Sequence, residues 1–222
     1  VIAGHKAKVS VSTYQTRHFY SDDVENLLVS TRQTVDYESI INFDRLSRTV
    51  HLLNYLPVSH LAGVVVLDVD PRHILAIKEH HGAYFEDVIV RCGLETNKIV
   101  IMLTLSKHFK PYFQALADGL ANYRQRGYGI GIKLEVSSHD DEMLAFISGL
   151  APDYVCLADT EEMRAGSVDT PLTRWQELKT WVTQTRARSL VQLLDQKKSE
   201  VLARQVGFEL VHGAYYADIP ST

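Results

Sequence analysis

Short runs of β-branched and aliphatic residues alternate along the chain with longer stretches whose apolar positions recur every three to four residues. This is the pattern of strands feeding a parallel sheet through crossover helices. The short runs predict strands at Lys8–Thr16, Gly63–Val69, Lys98–Thr104, Gly129–Val136, Asp153–Leu157, Ser189–Leu194 and Phe208–His212. The amphipathic stretches predict helices at Ser39–Leu56, Pro71–Arg91, Lys107–Gln125, Asp140–Leu150, Thr173–Thr185 and Lys197–Val206. Gly127 and Gly207 fall just past helices, where a left-handed cap is wanted, and Pro71 falls at a first helical turn. Strands such as Gly63-Val-Val-Val-Leu67 are apolar almost without interruption, as expected when helices cover one face and barrel side chains fill the other. The fold class is therefore an α/β, TIM-like (β/α) barrel, with Val64, Val66, Ile99, Ile101, Ile130, Ile132 and Val155 buried on its strands. A barrel wants eight strands, so Val1–Ala3 is read as the stump of a truncated first strand.

At 222 residues and 45% hydrophobic, the chain suffices for one domain over residues 1–222, and no low-complexity linker divides it. His-Gly-Ala-Tyr occurs at His81–Tyr84 and again at His212–Tyr215, but the flanks differ and no internal repeat follows. With 23 Lys and Arg against 27 Asp and Glu, no global charge favours nucleic acid or an anionic membrane. Cys92 and Cys156 belong to no CxxC or Cys/His cluster, which argues against a disulfide framework or structural zinc and for a cytoplasmic location. The apolar run Ala62–Leu67 is far shorter than the ~20 residues that cross a bilayer. A start at Val1 without a signal pattern reads as a piece of a longer multidomain protein.

Chemistry in a (β/α) barrel sits at the C-terminal ends of the strands. Five segments there carry a resemblance: Leu67-Asp-Val-Asp-Pro71, Lys98–Leu105, Arg126–Glu135, Leu150–Ala158 and Gly207–Tyr216. In order and spacing they resemble the "vNlSp", "EiTE", "kGvrialDDFG", "LpvDylKiD" and "lGfd.vQGyy" segments of the EAL-type cyclic-di-GMP phosphodiesterases. The resemblance runs from about Ser39 to Pro220, and it implies a barrel mouth where carboxylates and an amide hold two divalent cations.

Matched position by position, the acids are largely missing. Asp68 stands at the asparagine of the first segment, Met102 and Leu105 at the glutamates of "EiTE", and Lys133 and Leu134 at the paired aspartates. Cys156 and Ala158 stand at the lysine and aspartate of "KiD", and His212 at the glutamine of "QGy". Gln192 and Asp195 take the two glutamates of "AEGVE", and the opening "EALLR" strand falls on Ser12–Arg17, with Ser12 or Thr13 at its glutamate. These ten vestigial positions, from Asp68 to His212, imply a degenerate domain with no catalytic residue, no metal and no cofactor. Met102, Leu105 and Leu134 are expected to close the mouth with apolar surface.

Other candidate residues have plainer readings. Asp70 reads as a helix N-cap, and Asp140, Asp141 and Glu142 as acids complementing a helix dipole. His80 and His81 read as solvated, His212 as a structural hydrogen-bonding group, and Trp175 and Trp181 as packing residues. Lys133 reads as a lysine turned to solvent, with a phosphate-binding cation as the alternative. The function expected is a regulatory protein-binding module with an unidentified protein partner, a second copy of the chain among the candidates. Binding of cyclic-di-GMP is doubtful, since the "QGy" glutamine is lost; a non-hydrolysing receptor is the alternative. An unrelated barrel enzyme is a third class, though no triad, phosphate loop or histidine cluster supports it.

Overall fold

In the computed structural model, residues 4–6, 37–61, 63–135, 139–158, 170–192 and 197–213 are described. Seven parallel strands pair in the order in which they occur in the chain. They are β1 (Gly4–Lys6), β2 (Val64–Val69), β3 (Ile99–Thr104), β4 (Gly129–Glu135), β5 (Tyr154–Ala158), β6 (Arg188–Gln192) and β7 (Leu210–His212). A parallel sheet in sequential order, each strand returned by helical connections, is the wall of a TIM-like α/β barrel. The helices are α1 (Tyr37–Tyr55), α2 (Pro71–Ala76), α3 (Ala83–Arg91), α4 (Phe113–Gln125), α5 (Asp141–Leu150), α6 (Thr170–Thr185) and α7 (Lys197–Val206).

The period-two alternation of the strands divides the interior into two layers. Leu67, Ile99, Ile101, Leu103, Ile130, Ile132, Val155, Leu157 and Val191 pack with the helix residues Leu52, Phe85, Ile89, Leu116, Ile147 and Val182. The alternate residues Val66, Val100, Met102, Cys156 and Leu190 form a second cluster made of strand residues alone, which fills the inner face of the curled sheet. Of the residues expected to be buried on strands, Val66, Ile99, Ile101, Ile130, Ile132 and Val155 are buried, while Val64 at the start of β2 is half-buried.

Several local expectations change. The single helix expected over Pro71–Arg91 is two, α2 and α3, because the chain is extended at Ile77 and left-handed at His80 and Gly82. His81, expected to be solvated, is buried, and its Nε2 bonds to the Ile74 carbonyl at 2.8 Å. Residues Lys107–Tyr112, around Pro111, form a 3-10 turn ahead of α4. The strand paired with β2 is Gly4–Lys6; the predicted strand Lys8–Thr16 and the stump Val1–Ala3 lie outside the described residues. Trp175 is buried edge-on to Phe208, and Gly127 and Gly207 have the expected positive φ. Among the described residues, no helix is long and apolar enough to cross a membrane.

Candidate functional site

Side chains at the C-terminal ends of the strands that share the pleat of Met102 and Cys156 point into the barrel mouth. The register assigns them without ambiguity: Asp68 is level with Met102 and Met102 with Gly131, Thr104 with Lys133, and Lys133 with Cys156. One step further along, Ala158 is level with Gln192 and Gln192 with His212. Seven of the expected positions, Asp68, Met102, Lys133, Cys156, Ala158, Gln192 and His212, thus share the inner face. Leu105 and Leu134 do not. Both are buried in the layer beneath the helices, since one residue's shift along a strand reverses the side it faces. Thr104, half-buried and inward by the same pleat, is the β3 residue that accompanies Lys133. Asp195, Ser12, Thr13 and Arg17 lie outside the described residues; on β1, the residue level with Val66 is Lys6.

Packing on the inner face is tight where the resemblance would place an acid. Met102 is fully buried, and a Cβ on Gly131 would stand 2.7 Å from its Cε and 2.9 Å from its Sδ. Deeper in, a Cβ on Gly129 would meet Val100 Cγ2 at 3.1 Å. The β4 glycines therefore make room for large apolar residues on β3. Next to them the buried Cys156 thiol donates to Gln192 Oε1 at 3.5 Å. Asp68 is exposed, Lys133 and His212 are half-buried, and Gln192 and Ala158 are buried. Among the described residues, no group of three or more His, Cys, Asp or Glu side chains is placed to hold a metal ion.

The loop after β2 is anchored from behind. Asp70 Oδ1 caps α2 by accepting from Arg72 N at 2.8 Å, and the Arg72 guanidinium grips both carboxylate oxygens at 2.9 and 2.5 Å. The backbone N–H of Asp70 in turn donates to Asp44 Oδ1 of α1 at 3.2 Å. Asp44 belongs to a buried polar cluster for which the sequence offers no motif. Its Oδ2 lies 2.7 Å from Arg48 Nη2 and 3.0 Å from His73 Nδ1. Arg48 Nη2 also reaches His73 Nε2 at 3.3 Å, and Nη1 reaches the Tyr123 hydroxyl at 3.4 Å. A guanidinium only donates, so in the Arg48–His73 hydrogen bond it is His73 Nε2 that accepts. Arg48 also stacks over the Phe85 ring at 5.0 Å. Burial pushes the Asp44 carboxyl up, but the His73 hydrogen bond, the Arg48 guanidinium and the Asp70 N–H outweigh it and hold it below the usual carboxylate range. Burial raises the Tyr123 hydroxyl.

No family model matches the chain, and no curated protein does. Solved structures match in fold. The Bacillus subtilis YkuI protein, with an EAL domain and in complex with substrate c-di-GMP and calcium, superposes with a TM-score of 0.71 at 16% identity, over 99% of this chain and 52% of that one. A Klebsiella pneumoniae BlrP1 calcium/cyclic-diGMP complex superposes at 0.69 and 15% identity, over 86% and 46%. The Xanthomonas citri FimX EAL domain in complex with c-diGMP superposes at 0.70 and 9% identity, over 97% and 81%. The chain thus spans about half the length of the YkuI and BlrP1 chains. Its fold is that of an EAL domain.

Proposed function

We propose that this chain is a catalytically inactive EAL-like domain that acts as a regulatory protein–protein interaction module in bacterial signalling, in the cytoplasm. The observation that supports the reading is the chemistry of the inner strand ends. Hydrolysis by a metal pair requires several hard oxygen ligands together. Here the register puts two acidic positions on that face, Asp68 on β2 and Glu135 on β4 level with Ala158, fewer than a metal pair needs, beside the Met102 thioether, the Lys133 ammonium, the Cys156 thiol and the Ala158 methyl. Lys133 adds positive charge where cations would have to sit, and like charges a few ångströms apart repel strongly in a partly buried site. These residues do not fit a dinuclear site, so no catalytic step is assigned to one.

A second reading, a non-hydrolysing cyclic-di-GMP receptor, is favoured by the polar groups left at the mouth, Lys133, Gln192 and His212. Calorimetric titration with cyclic-di-GMP, with and without Mg²⁺ or Mn²⁺, combined with chromatography for the linear dinucleotide, separates the two. The module reading expects neither heat nor product. Steady hydrolysis that tracks the protein through purification overturns it, and saturable heat without product selects the receptor.

A further inference from the structure

Helix α1 buries two of its charged residues and exposes an apolar stripe. Asp44, Arg48, Leu52 and Tyr55 form the buried face, with Asp44 and Arg48 held in the polar cluster against α2 and α4. Phe43, Leu46, Val50 and Leu53 face outward, 52%, 62%, 45% and 51% exposed. A helix on a globular surface ordinarily buries its apolar stripe and exposes its charges. The outward spacing of three, four and three residues is the seam of a coiled coil, which packs against another helix by knobs into holes. Tyr84 of α3, 57% exposed and stacked 4.8 Å from the Arg45 guanidinium, widens the patch.

We propose that this face is a homodimer interface, in which α1 packs antiparallel against α1 of a second copy about a two-fold axis level with residue 48. A three-four-three stripe reads the same in both directions, so the two-fold sets Phe43 against Leu53, Leu46 against Val50 and Asn42 against Asn54 of the second copy. The exposed amides of Asn42 and Asn54 each donate and accept, and are therefore self-complementary at the ends of the seam. Arg45 is engaged over Tyr84, so the seam has no charge pattern that would select an unlike partner. The area suffices. Five half-exposed side chains leave on the order of 400–500 Å² of apolar surface per copy. Two facing copies, with their polar rim, reach the ~1,000 Å² that a specific interface must clear. An isologous contact of this kind closes on itself and forms no fibre. The proposal goes beyond the module reading and does not rest on it.

Sedimentation velocity of the full chain from about 1 to 100 µM tests the proposal. A dimer is expected, and Leu46→Glu is expected to weaken it by roughly 30-fold or more while leaving the circular dichroism spectrum unchanged, and the urea midpoint unchanged at concentrations low enough for both chains to be monomeric. Orientation is read in a Cys92→Ser background by mixing Leu46→Cys chains with Val50→Cys chains. Oxidation should link the unlike chains in the antiparallel arrangement, whereas a parallel seam would link like with like. A monomer at the highest concentration, a dimer indifferent to both Leu46→Glu and Val50→Glu, or like-with-like linkage overturns the proposal. A monomer in which the Leu46→Cys thiol resists maleimide also overturns it, by showing that the chain covers its own stripe.

Discussion

A methyl on the inner face at Gly131 would stand 2.7 Å from Met102 Cε, so the fully buried Met102 side chain would have to move to admit it. Gly131→Ala should therefore cost about 1–3 kcal/mol as an overpacking change, seen as a lower urea midpoint with an unchanged slope; an unchanged midpoint would mean that Met102 swings aside freely. Asp44 carries a second prediction. Its carboxyl is held below the usual carboxylate range when folded, so between the folded value and the unfolded ~3.9 the unfolded chain binds more protons. The stabilisation is present above the unfolded value and is lost as pH falls through the folded one. Asp44→Asn should flatten the fall in stability between about pH 5 and pH 2 relative to the parent, measured as urea midpoints across that window. Parallel curves would remove Asp44 from the acid response. Lys133 is expected to turn to solvent and Leu105 and Leu134 to close the mouth with Met102, whereas the period-two alternation of β3 and β4 puts Met102 and Lys133 on the inner face and Leu105 and Leu134 under the helices. The Asp44–Arg48–His73 cluster was not readable, because charges on a helix are ordinarily solvated and its partners are scattered over α1, α2 and α4.

Strands and most helices follow from local pattern, since an unbroken apolar run bounded by Gly or Pro has few other structures open to it. Asp70 caps α2 as its sequence position suggests, and Asp140, read there as an acid complementing the helix dipole, is the N-cap of α5 and accepts from Met143 N at 3.1 Å. The break between α2 and α3 had no local signal strong enough to read. Ile74, Ile77, His81 and Phe85 keep helical spacing across it. What ends α2 is tertiary: His81 folds back onto the Ile74 carbonyl, and Gly82 at φ 81° lies against Tyr123 and Tyr128. A Cβ there would meet Tyr123 Cδ1 at 2.7 Å. Gly82→Ala combines a disfavoured backbone with a clash against a buried ring, and should cost about 2–4 kcal/mol. Gly93→Ala is the control, because φ is also positive (73°) but nothing lies within 4 Å; it should cost only about 1–2 kcal/mol. Equal losses from the two variants would show that backbone strain alone sets the cost.

For the domain as a body, the question is whether its fold depends on ions at the mouth. Repulsion between clustered carboxylates is what metal ions screen in an acidic site, and on the described inner face the acidic positions Asp68 of β2 and Glu135 of β4 stand on separate strands with Met102, Lys133, Cys156 and Gln192 around them. Met102 is buried against Gly131, and Cys156 is bonded to Gln192, so this part of the interior is filled by its own side chains. Leu105 and Leu134 stabilise the barrel from the helix side and do not close the mouth. A fold held this way should not need a cation. Chelators are expected to leave the melting temperature unchanged, and millimolar Mg²⁺ or Mn²⁺ to add nothing. Specific binding at a hundred-fold excess over Kd would add about 2.7 kcal/mol, which for a chain of this length means an upward shift of roughly 5–11 °C. A saturable shift of that size, abolished by Asp68→Ala, would establish a surviving cation site at the end of β2 and would reopen the case for metal-dependent chemistry in this barrel.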